Sequence, residues 1–441
     1  MKQKFKEFNP LVAPLLSLFF VISSSCLFTT FVTLKLKNEN FTETLIGLIH
    51  SSFYFGYLVG SVRAEKLIYR IGYIRSFVAF AALFGASILV QGLYIHTILW
   101  MLTRFIAGVS LAALYVIIES WLLSGSTQNT RGRILSVYMI ILYGAQSLSQ
   151  MFIGFVDLNT LTAFLVFGIL TYLSILPVSI NYSKTPESSS EITKKSIKEI
   201  FRHAPYSFWG CLISGLILSA IYSFLPYYAQ SENLRVSYIM TITIAGGFVL
   251  QWPIGLFSDL FERRKVLIAS SALLFLSCLM MIFFSSVHHM LAYLFCFFIG
   301  GFSFVIYPIS ISHATDKFDS KYIPFIIGIM SVLYGIGATV GPFMTSLFME
   351  FDSSGIFIFI ALFALISTLS GIYYKIKIPK RTPKSEKTEF MPISAIAPLS
   401  TDTSIAIKQT ISVSKKDVHP EKKSQETHPA SQNDNNSESS K

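Results

Sequence analysis

The stretch Asp259-Leu-Phe-Glu262-Arg263-Arg264-Lys265 places two acids and three bases directly after the apolar run QWPIGLFS (251–258). The stretch is either a working part or the solvated edge of a membrane helix, where a boundary charge merely helps topology. Other groups capable of chemistry stand singly in apolar surroundings. His50 titrates near neutral pH when unperturbed and is a candidate coupling site, or a neutral hydrogen-bonded histidine. Arg104, in TRFIAG, is costly inside a membrane. It either faces the interior, where it binds an anionic solute or biases a neighbour's protonation, or snorkels to the surface. Glu119 is a candidate for structural pairing with Arg70 and Arg75 or for carrying a proton. Gln146 and Gln150 are four apart and share one helix face. With Gln251 they must find polar partners in lipid, by lining a cavity or by bridging helices. Tyr54 and Trp252 would give such a cavity an amphipathic wall.

Several chemistries find no support. His288-His289 and His313 with Asp316 do not complete a metal ligand set, and no metal or cofactor is expected. No G-x-x-x-x-G-K-[ST] loop is present, which argues against direct ATP-driven work. No serine or cysteine nucleophile motif stands out. A membrane-embedded enzyme using His50, Glu119 or His288 remains an alternative, but these residues fall at different depths. A non-transporting receptor is another.

These residues sit in a chain of 441 residues that is 52% hydrophobic and only 13% charged. About a quarter of an ordinary soluble domain is charged, so the solvent for most of this chain is lipid. The net charge of +11 fits basic residues retained on the cytoplasmic face rather than a nucleic-acid partner. The four cysteines lie in apolar runs without metal or disulfide spacing. Lys2, Lys4 and Lys6 before an apolar run resemble a signal peptide, but the run continues past Cys26 to Leu34 and reads as an uncleaved first span.

Spans of ~20 apolar residues are expected near 10–34, 44–62, 76–96, 99–122, 134–156 and 160–181. Six more follow near 207–229, 238–257, 266–286, 290–312, 323–348 and 355–375. The division is an N-terminus (1–9), a first six-helix bundle (10–182), a linker (183–205), a second bundle (206–378) and a polar, disordered tail (379–441). Lysines and arginines concentrate in alternate loops, including Arg63, Arg70, Arg75 and Lys194 to Arg202. The opposite loops carry Lys35, Lys37 and Arg235. This bias puts both termini, the linker and the tail in the cytoplasm of a multi-pass inner-membrane protein.

The halves also repeat. LYG at 142–144 returns at 333–335, an offset of 191, and GVS at 108–110 parallels GFS at 301–303, an offset of 193. Gly60 and Gly255, each read as ending the second span of its half, differ by 195. Parallel repeats of six spans are the architecture of many secondary transporters, with the substrate site between the halves.

These stretches resemble the major facilitator superfamily. Its signature of glycine, aspartate and basic residues after the second helix of each half is similar to Gly255…Asp259…Arg263-Arg264-Lys265, with Glu262 in place of the second glycine. The first copy keeps Arg70, Gly72 and Arg75, but Tyr69 stands at the aspartate position and Glu65 at the first glycine. RFIAGVSLAALYVIIESWL (104–122), YPISISHATD (307–316) and LYGIGATVGP (333–342) resemble the bacterial YcaD-like branch. The resemblance implies an all-α membrane protein with twelve transmembrane helices in two pseudo-symmetric six-helix bundles. It also implies a monomeric secondary transporter of a small organic solute, with protons as a candidate coupling ion. The signature residues then become gating residues, and Asp259 is expected to meet the start of the fifth span near Ile134, helped by Arg131 and Arg133.

Overall fold

The computed structural model describes residues 2–124, 130–180, 195–284 and 289–377. The linker as far as residue 194, His288 and the tail 379–441 lie outside the described residues, as does the side chain of Arg131. Among the described residues there is no strand, and twelve helices are long and apolar enough to cross a membrane. In chain order they are α1 (Lys2–Asn38), α2 (Glu43–Ile71), α3 (Tyr73–Leu93), α4 (Thr97–Ser124), α5 (Arg131–Gln150) and α6 (Thr162–Leu173), then α7 (Pro205–Ser231), α8 (Val236–Leu260), α9 (Arg263–Phe284), α10 (His289–Thr315), α11 (Ile323–Met349) and α12 (Gly355–Lys377). A 3₁₀ turn, Met151–Phe155, lengthens α5, and Ile175–Ser179 completes the sixth span.

The helices stop where backbone chemistry stops them, which differs from where the apolar run ends. Charge ends the run in α2 near residue 62, yet Ala64, Glu65 and Leu67 are good helix formers. The helix continues to Gly72, whose φ of 82° and ψ of 170° only glycine adopts readily. The Gly72 N–H donates to the Ile68 carbonyl at 2.8 Å, and α3 begins at the next residue. At the other end of α2, the Thr42 hydroxyl accepts from the Leu45 N–H at 3.4 Å and Glu43 occupies the first turn. A short helix, Ile197–His203, lies in the stretch expected to be linker.

The internal repeat is written in how the chain turns and crosses itself. α1 closes through Asn40 (φ 57°) with Phe41 N–H on Leu36 O at 3.0 Å. α7 closes the same way through Asn233 (φ 54°) with Leu234 N–H on Ala229 O at 2.8 Å. α2 and α4 touch backbone to backbone, because a Cβ on Gly56 would lie 2.1 Å from Phe105 O, and one on Gly108 2.0 Å from Phe53 O. α8 and α10 repeat the crossing, with Gly246 against Phe297 O at 2.1 Å and Gly300 against Thr243 O at 1.9 Å. Such close approach is how helices gain packing in lipid, where apolar burial alone gives no drive. Gly60 does not end a span. It sits within α2, where a Cβ would lie 2.5 Å from Val109 O.

The buried share of the most apolar window is 72% for α1, α4 and α10 and 83% for α7, against 39–56% for the other eight. These four helices form the inner layer. The halves meet at the end of the molecule where α1 stops and α2 starts. There Ser147 and Thr241 exchange hydroxyl-to-carbonyl hydrogen bonds, both 3.2 Å. Lys37 Nζ donates to Tyr227 O at 3.0 Å and lies 4.1 Å from that ring's centre. Tyr227 also hydrogen-bonds Glu43, and Thr44 bonds Glu350.

Candidate functional site

A cavity lies in the interior, between the halves. From the first half come Ser25, Cys26 and Thr29 of α1, Phe53, Tyr54 and Tyr57 of α2, Tyr115 of α4 and Gln146 of α5. From the second come Tyr222 of α7 and Tyr334 of α11. The free space, mouth included, is about 560 Å³, of which about 50 Å³ can hold the centre of a water molecule. That is room for roughly three or four waters. The walls are hydroxyl and aromatic, and none of the lining residues carries a formal charge. The Tyr222 hydroxyl donates to Gln146 Oε1 at 2.8 Å, which ties the halves together across the cavity.

The two glutamines of α5 therefore have different tasks. Gln146 faces the cavity. Gln150 bridges α5 to α1, donating to the Cys26 carbonyl at 3.1 Å and accepting from Thr30 at 3.0 Å. Gln251 is buried in α8 away from the cavity lining. Trp252 is 69% exposed on the outer face, so it is not part of the wall.

One layer behind Phe53 lies a polar chain that spans three helices of the first half and reaches the second. Arg104 is 1% exposed, which removes the snorkelling alternative. Its guanidinium carbon lies 4.4 Å from the Phe53 ring centre and 5.5 Å from that of Phe28. Nη2 is 3.4 Å from His50 Nδ1, and His50 Nε2 is 2.9 Å from Thr33 Oγ1. Thr33 has one hydroxyl proton, and the 2.8 Å bond to the Ser223 carbonyl uses it. Thr33 must then accept from His50 Nε2–H, which leaves Nδ1 to accept from Arg104. His50 is thus a neutral, fully bonded imidazole between a buried cation and the opposite half. Arg104 has no carboxylate within ion-pair distance, and its Nε has no hydrogen-bond partner among the described residues.

The signature residues gather at the opposite end of the molecule. Arg263 Nε donates to Asp316 Oδ2 at 2.7 Å, both side chains being nearly inaccessible, and Nη2 lies 3.3 Å from Asp259 Oδ1. Arg264 Nη1 donates to the Tyr374 carbonyl at 3.1 Å. Gly255 is buried one turn before Asp259. Asp259 is therefore ion-paired within its own half. Arg133, expected beside it, is exposed. Asp316 is the residue that sequence reasoning missed in this role. In the sequence it stands out only beside His313 as an incomplete metal set, although its place just after α10 puts it within reach of the α8–α9 joint. Arg70 and Arg75 are exposed in the first half and do not pair with Glu119, which is buried near the end of α4 and engaged elsewhere.

Lys317 follows α10 and donates to the His203 carbonyl at 2.8 Å, holding the short helix Ile197–His203 to the second half. Its amine is pushed down to about 8, first by burial and then by the Arg264 charge, while Asp316 and Glu262 act in the opposite sense.

A family model described as Major Facilitator Superfamily matches residues 15–236 and 231–414. An uncharacterized MFS-type transporter of Enterobacter sp. (strain 638) is 29% identical over 83% of this chain and 94% of its own length. The uncharacterized MFS-type transporter YcaD of Escherichia fergusonii is 28% identical over the same shares. Among solved structures, the nucleoside transporter NupG superposes with a TM-score of 0.67 at 14% identity, over 83% of this chain and 98% of its own. The xylose transporter XylE from E. coli gives 0.62 at 14% identity, over 85% and 98%.

Proposed function

The chain belongs to the Major Facilitator Superfamily, and on that premise we propose that it is a secondary transporter moving a small organic solute across the inner (cytoplasmic) membrane by alternating access. One observation carries this reading: a cavity in the interior, walled by side chains of both halves and closed by contacts between them. A site shared between two repeats is open to one side or the other as the repeats rock. In the described conformation the cavity has room for only a few waters. Admitting a solute requires the halves to part, and the bonds that must break are those at the α1–α2 end and Tyr222–Gln146.

The basic residues of the loops support an orientation with the α2–α3 and α8–α9 joints, and both termini, in the cytoplasm. Lys37, Tyr227 and Glu43 then form the outer closure, and the Asp259–Arg263–Asp316 cluster braces the inner end of the second half. The fold relatives at 14% identity transfer no substrate. For coupling, His50 is the histidine one layer behind the cavity wall, and its bond chain through Thr33 to Ser223 is broken when the halves separate there. Proton uptake on His50 in that open state would link transport to pH.

A membrane-embedded enzyme is less well supported, because His50 and Glu119 stand outside the cavity lining. Purified protein in proteoliposomes, assayed for uptake of a metabolite and drug panel with and without a pH gradient, tests the proposal. Solute accumulation supports it. Binding without flux for any solute that binds would favour a receptor instead.

A further inference from the structure

Resting on the transporter reading, we propose that the solute is an aromatic or similarly flat monoanion, its negative group drawn to Arg104 and its body held among the cavity tyrosines. The cavity lining carries no acid and no base. Charge effects inside it therefore come from the layer behind, and directly behind Phe53 the formal charge is the guanidinium of Arg104; Glu119, also buried, lies fifteen residues farther along α4. That cation is 1% exposed, stacks on Phe53 of the cavity wall, and has no carboxylate within reach among the described residues. Its Nε proton has no acceptor in the described conformation.

Charges inside membrane proteins ordinarily pair with one another or with backbone carbonyls. Here the compensation is partial. Two ring faces each offer a cation–π contact, and one imidazole nitrogen accepts at 3.4 Å. A guanidinium presents five donors in a planar fork that suits a carboxylate, sulfonate or phosphate. The arrangement is complete in every respect except the anion. A solute with a single negative charge supplies it and neutralises Arg104. A cationic solute meets an uncompensated like charge in a low-dielectric interior, and a dianion leaves one charge over.

The wall explains the rest of the solute. Tyr54, Tyr57, Tyr115, Tyr222 and Tyr334 offer flat apolar faces with hydroxyls at their edges. Tyr57 and Tyr115 already pack edge to face at 6.3 Å. Such a surface favours a planar ring with hydrogen-bonding substituents.

Three probes of similar size but different charge test this: benzenesulfonate, benzamide and benzyltrimethylammonium. Their binding to the purified full-length chain is read by thermal stabilisation and isothermal calorimetry, and their uptake is read separately in proteoliposomes. Benzenesulfonate is expected to bind at least tenfold more tightly than the other two. Arg104→Gln is expected to abolish that preference, and Arg104→Lys to retain part of it. Equal or tighter binding of the amide or the ammonium ion overturns the proposal, as does an unchanged preference in R104Q or no binding of any probe. If R104Q does not fold, the charge preference of the unmodified chain still decides. Preferential binding of the sulfonate without flux of any probe would leave this assignment standing while removing the transport reading. Flux confined to the amide or the ammonium ion would do the reverse.

Discussion

Cys26 is the residue through which the cavity is most easily reached by chemistry. It lines the cavity, whereas Cys211, Cys278 and Cys296 are fully buried elsewhere. A small methanethiosulfonate reagent is expected to block uptake, and Cys26→Ser to remove the block while leaving uptake itself largely intact. Block persisting in C26S would place the sensitive thiol outside the cavity. At the other end of the molecule, Arg263→Ala leaves the buried Asp316 carboxylate without its 2.7 Å partner. Removing one member of a buried pair costs about 3–5 kcal/mol, so the variant is expected to melt well below the parent. Adding Asp316→Asn should restore part of the loss, which a thermal scan of the two variants would show.

Lys317 gives a pH dependence with a defined sign. Its amine titrates near 8 in the folded chain and near 10.4 when unfolded. Below pH 8 both states are charged and the folded state bears the full cost of that charge. Between the two values the unfolded chain binds more protons, so stability rises with pH. Lys317→Gln is therefore expected to stabilise at pH 7 and to lose that advantage by about pH 10. An advantage that grows with pH would contradict the assignment. These residue roles were only partly legible in the sequence. Arg104 and His50 announced themselves as polar groups in apolar runs. The cavity tyrosines did not, because a tyrosine in a membrane helix carries no signal of which way it faces. Asp316 was visible, but its distance in sequence from Arg263 hid the pairing.

At the scale of elements, apolar runs located all twelve spans, because lipid demands a long uncharged helix and little else in this sequence offers one. Their ends were less legible. α2 passes beyond its apolar run because no residue before Gly72 breaks it. Gly72→Ala places a Cβ in a conformation that costs roughly 1–3 kcal/mol. The expected result is a modest drop in melting temperature with the fold retained. The glycine crossings should be far less tolerant. A Cβ on Gly56 meets backbone, not a movable side-chain tip, at 2.1 Å. Gly56→Val is expected to cost about 3 kcal/mol or more and to reduce the yield of monodisperse protein. The equivalent change at Gly246 should behave alike, since it faces Phe297 O at the same distance. Normal behaviour of both variants by size-exclusion chromatography would mean that the paired crossings do not hold each half together.

At the scale of the molecule, two bundles share one cavity and clasp at the α1–α2 end. Each bond there is weak on its own, since interhelical hydrogen bonds in membranes average about 0.6 kcal/mol. A clasp built from several such bonds can be opened by thermal motion and reclosed, as a rocking mechanism needs. Ser147 and Thr241 sit face to face across it. The direct measurement is therefore solute uptake by the Ser147→Cys/Thr241→Cys variant before oxidation, after a disulfide has formed, and after reduction. Alternating access predicts uptake in the reduced state, loss once α5 and α8 are joined, and recovery on reduction. Undiminished uptake with the disulfide fully formed would contradict it.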